Sequence, residues 1–123
     1  MIFRKEVRRV KKEKIKKIEE LCKLLRRLEN RDYSERTLGE KEKPFVIKGA
    51  FNRVDLSKTS GWVRVEGMAI IVDASEAHDL HLELVGKFNL VDLSGGKKIE
   101  LNREKAEINL LDASGVSIQK LIS

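Results

Sequence analysis

Apolar and polar residues follow two different periods along this chain, and the change of period divides it. Residues 3–28 contain no Gly or Pro, and Phe3, Val7, Val10, Ile18, Leu21, Leu25 and Leu28 recur at three- and four-residue steps. That spacing predicts an amphipathic α-helix within residues 1–30, with an apolar stripe roughly 80° wide. Ile15 and Cys22 lie on one shoulder of the stripe and Leu24 on the other, while Lys14 interrupts it. Lys5, Arg9, Lys12, Lys16, Lys23 and Arg27 line the opposite face, and Glu13 with Lys17 and Glu19 with Lys23 form favourable i,i+4 pairs. Residues 31–44 read as a linker, because charges mix with Gly39, the only proline ends the segment, and no periodic apolar pattern crosses it. The helix has room to continue through Tyr33 and Leu38 before Gly39 stops it.

From residue 45 onward the period becomes two. Four segments align without a gap: GAFNRVDLS (49–57), GMAIIVDAS (67–75), GKFNLVDLS (86–94) and AEINLLDAS (106–114), with starts 18, 19 and 20 residues apart. Asp55, Asp73, Asp92 and Asp112 recur, each followed two positions later by Ser57, Ser75, Ser94 and Ser114. Each copy continues with a second alternating run, Trp62-Val63-Arg64-Val65, Leu80-His81-Leu82-Glu83-Leu84, Ile99-Glu100-Leu101 and Ser117-Ile118-Gln119, after the turn-forming KTSG, EAHD, GGKK and GV. One unit is therefore strand, turn, strand, turn. Such a unit cannot bury its own apolar side, and stacking copies in parallel gives them a shared core.

The expected fold is mainly β: a short parallel β-solenoid of about four coils over residues 45–123, carrying an N-terminal amphipathic helix. The competing arrangement is an α+β fold with an antiparallel sheet. In the solenoid, Val54, Val72, Val91 and Leu111 form one interior ladder and Leu56, Ala74, Leu93 and Ala113 another, with Val63 or Val65, Leu82, Ile99 and Ile118 on the facing wall. Asn52, Asn89 and Asn109 share a position that Ile70 fills in the second copy, which predicts a partial Asn ladder. The repeated Asp-x-Ser is expected to fix each turn by bonding its backbone, since calcium sites gather more oxygen ligands than this spacing supplies.

The recurring hydrophobic-Asp-hydrophobic-Ser, with Ser94-Gly95 and Ser114-Gly115, resembles the Ser-Gly turns of β-solenoid head domains in adhesins of the head GIN type. The stacked short strands are also similar to bactofilins. The resemblance spans residues 49–123, and Ser57-Lys58 and Ser75-Glu76 depart from it by lacking the glycine. It implies parallel stacking and no reaction.

Charge and composition sharpen this division. Residues 1–28 hold 12 Lys+Arg against 4 Glu, a net of +8, while residues 29–123 hold 14 Lys+Arg against 16 Asp+Glu, a net of −2. The pattern is that of a basic helix joined to a near-neutral body. At 123 residues the chain is too short for a large multidomain enzyme. Many Lys, Glu and Arg beside few amides and sulfurs is the bias expected of a thermophile protein. The single Cys22 forms no intramolecular disulfide, and no apolar run reaches signal-peptide or membrane-span length, so a reducing, cytoplasmic location is expected.

Candidate chemistry is sparse. His78 and His81, in EAHDLHLE, fall on opposite faces of a strand and its preceding turn and read as edge residues rather than metal ligands. Cys22 borders the apolar stripe and has no histidine nearby in sequence. The turn 94–98, SGGKK, lacks the spacing of a phosphate-binding loop. Hence no catalytic residue, metal, cofactor or small-molecule substrate is assigned, and a non-enzymatic scaffold is expected that forms a homo-oligomer or binds a protein partner. Val7, Val10, Ile18, Leu21, Leu25 and Leu28 are its candidate helix interface, by capping the stack or by coiled-coil association. Lys5, Arg9, Lys12, Lys16, Lys23 and Arg27 are candidate contacts for an anionic partner: nucleic acid, through counterion release, or an anionic membrane surface.

Overall fold

A computed structural model of the protein describes residues 14–17 and 28–122, with side chains described as far as Ser117. Residues 14–17 are α-helical and exposed. The rest is built from β1 (Glu29–Asp32), β2 (Thr37–Leu38), β3 (Phe45–Asp55), β4 (Ser60–Asp73), β5 (Leu80–Asp92), β6 (Lys97–Asp112) and β7 (Ser117–Ile122). Every strand pairing is parallel, in the order β1-β3-β4-β5-β6-β7, with β2 on β4. The chain is thus a β-solenoid of about four turns, and the antiparallel alternative is excluded.

β3, β4 and β5 each change direction at a glycine, Gly49, Gly67 and Gly86, all with positive φ and aligned in register. Two walls result, one holding residues 50–55, 68–73, 87–92 and 106–112, the other 45–48, 60–66, 80–85 and 97–103. The core lies between them. Val54, Val72 and Val91 stack in register with Leu111, and Leu56, Ala74 and Leu93 are fully buried in the adjoining ladder. On the facing wall Val63 pairs with Leu82 and Leu82 with Leu101, while Ile99, expected on that wall, is fully buried there and pairs with Ile118. Strict alternation supplies several inward positions per strand, and turn length fixes which of them share a level.

The linker expected over 31–44 is corrected at its front half. Residues 29–32 pair with β3 and residues 37–38 with β4, making a short additional row ahead of the first expected coil. No helix therefore runs through Tyr33 and Leu38. This row carries its own Asp32-x-Ser34 turn, and Tyr33 packs edge-on against Phe45 at 5.2 Å between ring centroids. It eluded the periodicity because Arg31 stands where the other copies place an inward Val or Leu. Gly39 to Pro44 remain a loop, closed by paired backbone bonds between Glu40 and Lys43.

Candidate functional site

In all five turns the Ser amide bonds the Asp two positions before it, and in four the Ser hydroxyl does so too. The Ser57 amide and hydroxyl donate to Asp55 Oδ1 at 2.9 and 2.7 Å, and Ser75 to Asp73 at 3.0 and 2.7 Å. The Ser94 amide donates to Asp92 at 2.9 Å, Ser114 to Asp112 at 3.0 and 2.7 Å, and Ser34 to Asp32 at 2.9 and 2.6 Å. Each carboxylate is occupied in folding its own turn. The residue after each Ser lies in the left-handed region: Glu35, Lys58, Glu76, Gly95 and Gly115. This is why glycine suits the last two copies, and why Lys58 Nζ can stand 3.9 Å from Glu35 and 4.0 Å from Glu76 in a stacked column of alternating charge. Asn ladders form in two pieces, Asn52 Nδ2 to Asn30 Oδ1 at 3.0 Å and Asn109 Nδ2 to Asn89 Oδ1 at 2.9 Å, separated by Ile70.

These turns set an acid limit. The Ser34 hydroxyl, and after it the Ser34 amide, hold the Asp32 carboxyl below the ordinary carboxylate range; Ser114 does the same, in the same order, for Asp112. A carboxyl lowered in the folded state stabilises fully above the unfolded value, about 3.9, and loses that stabilisation as pH falls through the lower folded value. The melting temperature is expected to drop below about pH 4. A Ser34→Ala, Ser114→Ala double variant should drop less steeply, because it has less to lose, and thermal circular dichroism at stepped pH values reads the difference. Equal slopes would refute the assignment.

A second cluster lies on the outer face of the 60–66, 80–85 and 97–103 wall, where the sequence placed no site. Trp62, His81 and Glu100 share one register level. The Trp62 and His81 rings stack at 3.7 Å between centroids and 1° between planes, and His81 Nδ1 meets Glu100 Oε2 on its other side in the column. On the next outward level, Arg64 Nε donates to Glu83 Oε2 at 3.1 Å, with Glu66 Oε1 3.6 Å from its Nη1. That Glu83 hydrogen bond pushes the Arg64 pKa up. Lys41 and Pro44 from the 39–44 loop, with Trp62, His81, Glu83, Glu100 and Asn102, border a groove of about 320 Å³. Chemically it offers a stacked aromatic pair, an amide and two carboxylates that already have partners, Arg64 on Glu83 and His81 on Glu100. None of its lining side chains is a Ser, Thr or Cys nucleophile.

His78, expected at an exposed turn, is exposed and bridges to Lys97. It shares a shallow depression with Glu76, Lys58 and Lys97, and among the described residues no hydrogen bond joins His78 to Glu76. His81 is half-buried rather than a free edge residue, because the ring of Trp62 covers it. Of the expected anionic-partner residues, Lys16 is described, exposed and helical, whereas Lys5, Arg9, Lys12, Lys23 and Arg27 lie outside the described residues. So do Val7, Val10, Ile18, Leu21 and Leu25; Leu28 is half-buried just before β1. Among the described residues no group of three or more His, Cys, Asp or Glu is placed to hold a metal ion, and no helix is long and apolar enough to cross a membrane. No protein-family model, curated protein or solved structure matches the chain.

Proposed function

We propose that the protein is a non-enzymatic cytoplasmic assembly module, a scaffold that self-associates or binds a protein partner through the ends of its strand stack. The observation that carries this reading is the unbroken parallel pairing from β1 to β7. Among the described residues β7 pairs only with β6, so a row of backbone donors and acceptors faces outward there. Such an edge is a template for another strand unless it is blocked. A second reading rests on the charge distribution: a net of +8 in residues 1–28 suits an anionic partner, nucleic acid before membrane.

Solution mass by light scattering, at about 0.1 M and 1 M salt, with and without residues 1–28, tests both, because screening at 1 M removes most surface attraction. The truncation stops at residue 28 so as to spare β1. An oligomer that survives both high salt and truncation supports assembly through the stack. An oligomer lost on truncation transfers the role to the helix. A monomer under every condition overturns the assembly reading and leaves the cationic helix as the leading element.

A further inference from the structure

The two ends of the stack are built differently. At the N-terminal end the interior ladders are sealed: Phe51, Val54 and Leu56 are no more than 2% exposed, although among the described strands only the short row 29–38 lies beyond them. Arg31, at the level of Val54, holds its guanidinium 5.9 Å from the centre of the Phe51 ring, and its Nη2 is 2.7 Å from Glu29 Oε2. The outermost strand there has four residues, all exposed, two of them acidic and one cationic. Short length, charge and a cation at an inward position are the devices by which natural sheets protect an edge.

At the C-terminal end, among the described residues, no row pairs beyond residues 106–112. The positions that are sealed in the preceding coil, Phe88 at 2%, Val91 at 0% and Leu93 at 0%, are followed in register by Ile108, Leu111 and Ala113, all half-exposed. Val116 is half-exposed beside them, and Leu110 is 62% exposed on the outer wall. Among the described residues the interior ladders are therefore sealed at one end and half-exposed at the other.

From this asymmetry, and resting on the assembly reading above, we infer that the partner is a second copy of this chain, joined C-terminal end to C-terminal end in a closed two-fold dimer. Head-to-tail stacking would bring Arg31 of one copy over Leu111 of the next, since both occupy the same ladder level, and would strip water from a cation against an apolar side chain. Joining two open ends places apolar residues on apolar residues, and two-fold symmetry runs the facing edges antiparallel, a pairing that satisfies strand donors and acceptors. The protected N-terminal ends then point outward, and growth stops at two.

The test uses the full chain. Sedimentation equilibrium should give twice the chain mass, and Leu111→Lys should halve it while circular dichroism keeps the strand signal. Arg31→Val, which restores the apolar ladder at the protected end, should convert the dimer into longer species. Hydrogen exchange of the unmodified chain provides a check free of folding artefacts: protection of residues 106–116 should rise with protein concentration and that of 29–38 should not. A dimer that resists Leu111→Lys, or whose concentration-dependent protection falls on 29–38, overturns the end assignment and leaves self-association standing. A chain that is monomeric at every concentration overturns both.

Discussion

Gly86→Ala is expected to remove at least about 3 kcal/mol of folding stability, enough to unfold much of a domain whose total is about 5–15 kcal/mol. A Cβ at Gly86 would stand 1.9 Å from the carbonyl oxygen of Gly67 in the preceding coil, and the residue's φ of +125° is one that L side chains rarely adopt. Gly67 repeats the problem, with a Cβ position 2.1 Å from the Gly49 oxygen at φ +119°. The obstacle is backbone, held by the parallel ladder on both sides, so it cannot swing away as a flexible side chain would. Gly115→Ala is the control. Its φ is +66°, its nearest neighbour would be 3.9 Å away, and Lys58 and Glu76 already hold the same turn position with full side chains. It should cost about 1 kcal/mol, the ordinary penalty for a left-handed L residue. Urea denaturation of the two variants decides the matter: similar midpoints would mean that the glycine corner is soft and that the close stacking of the coils does not require it.

The fourth copy shows how the chain escapes this constraint. Ala106 occupies the corner level opposite Gly86 and has no positive φ. The register between β5 and β6 shifts at Glu83/Val85, and the spacing between these corner residues is the longest of the repeats, 20 residues. An extra residue thus accompanies the change of corner, as a β-bulge permits.

How far the fold could be read from the residues follows from which of them repeat. Four copies of Asp-x-Ser at nearly constant spacing identify parallel stacking, because equivalent residues can meet in register only if the strands run the same way. The row at 29–38 was hidden for an equally physical reason. Its turn has the same Asp and Ser, and Asn30 continues the amide ladder, yet Glu29 and Arg31 replace the apolar residues on which periodicity depends, and the 39–44 loop stretches the interval from Asp32 to Asp55 to 23 residues. The residues that protect the edge are those that erase the pattern. The Trp62, His81 and Glu100 column was closer to legible: each lies 19 residues from the next, so equal spacing alone places them on one level. What spacing does not convey is that the rings stack and that Arg64 is matched by Glu83, since those depend on rotamers set by neighbours in other coils.

Leu82→Ala is expected to cost about 3 kcal/mol, within the 2–5 kcal/mol range for truncating a buried leucine. Leu82 is 2% exposed and lies between Val63 in the coil before it and Leu101 in the coil after it, themselves at 2% and 0%. Removing it opens a cavity that both walls are poorly able to fill, because each strand is tied by its ladder bonds to fixed spacing on either side. In a stack each coil touches only its neighbours, so a central loss weakens two interfaces at once. Leu38→Ala removes the same side chain from the outermost row, where Gly61 is its register neighbour and exposure is already 7%, and should cost about half as much. Leu110→Ala, at 62% exposure, should be nearly neutral in the monomer. Denaturant titrations at low protein concentration measure all three. The ranking Leu82, Leu38, Leu110 is the outcome that nearest-neighbour stacking requires; equal costs for Leu82 and Leu38 would mean that stability is shared across the whole chain instead of being handed from coil to coil.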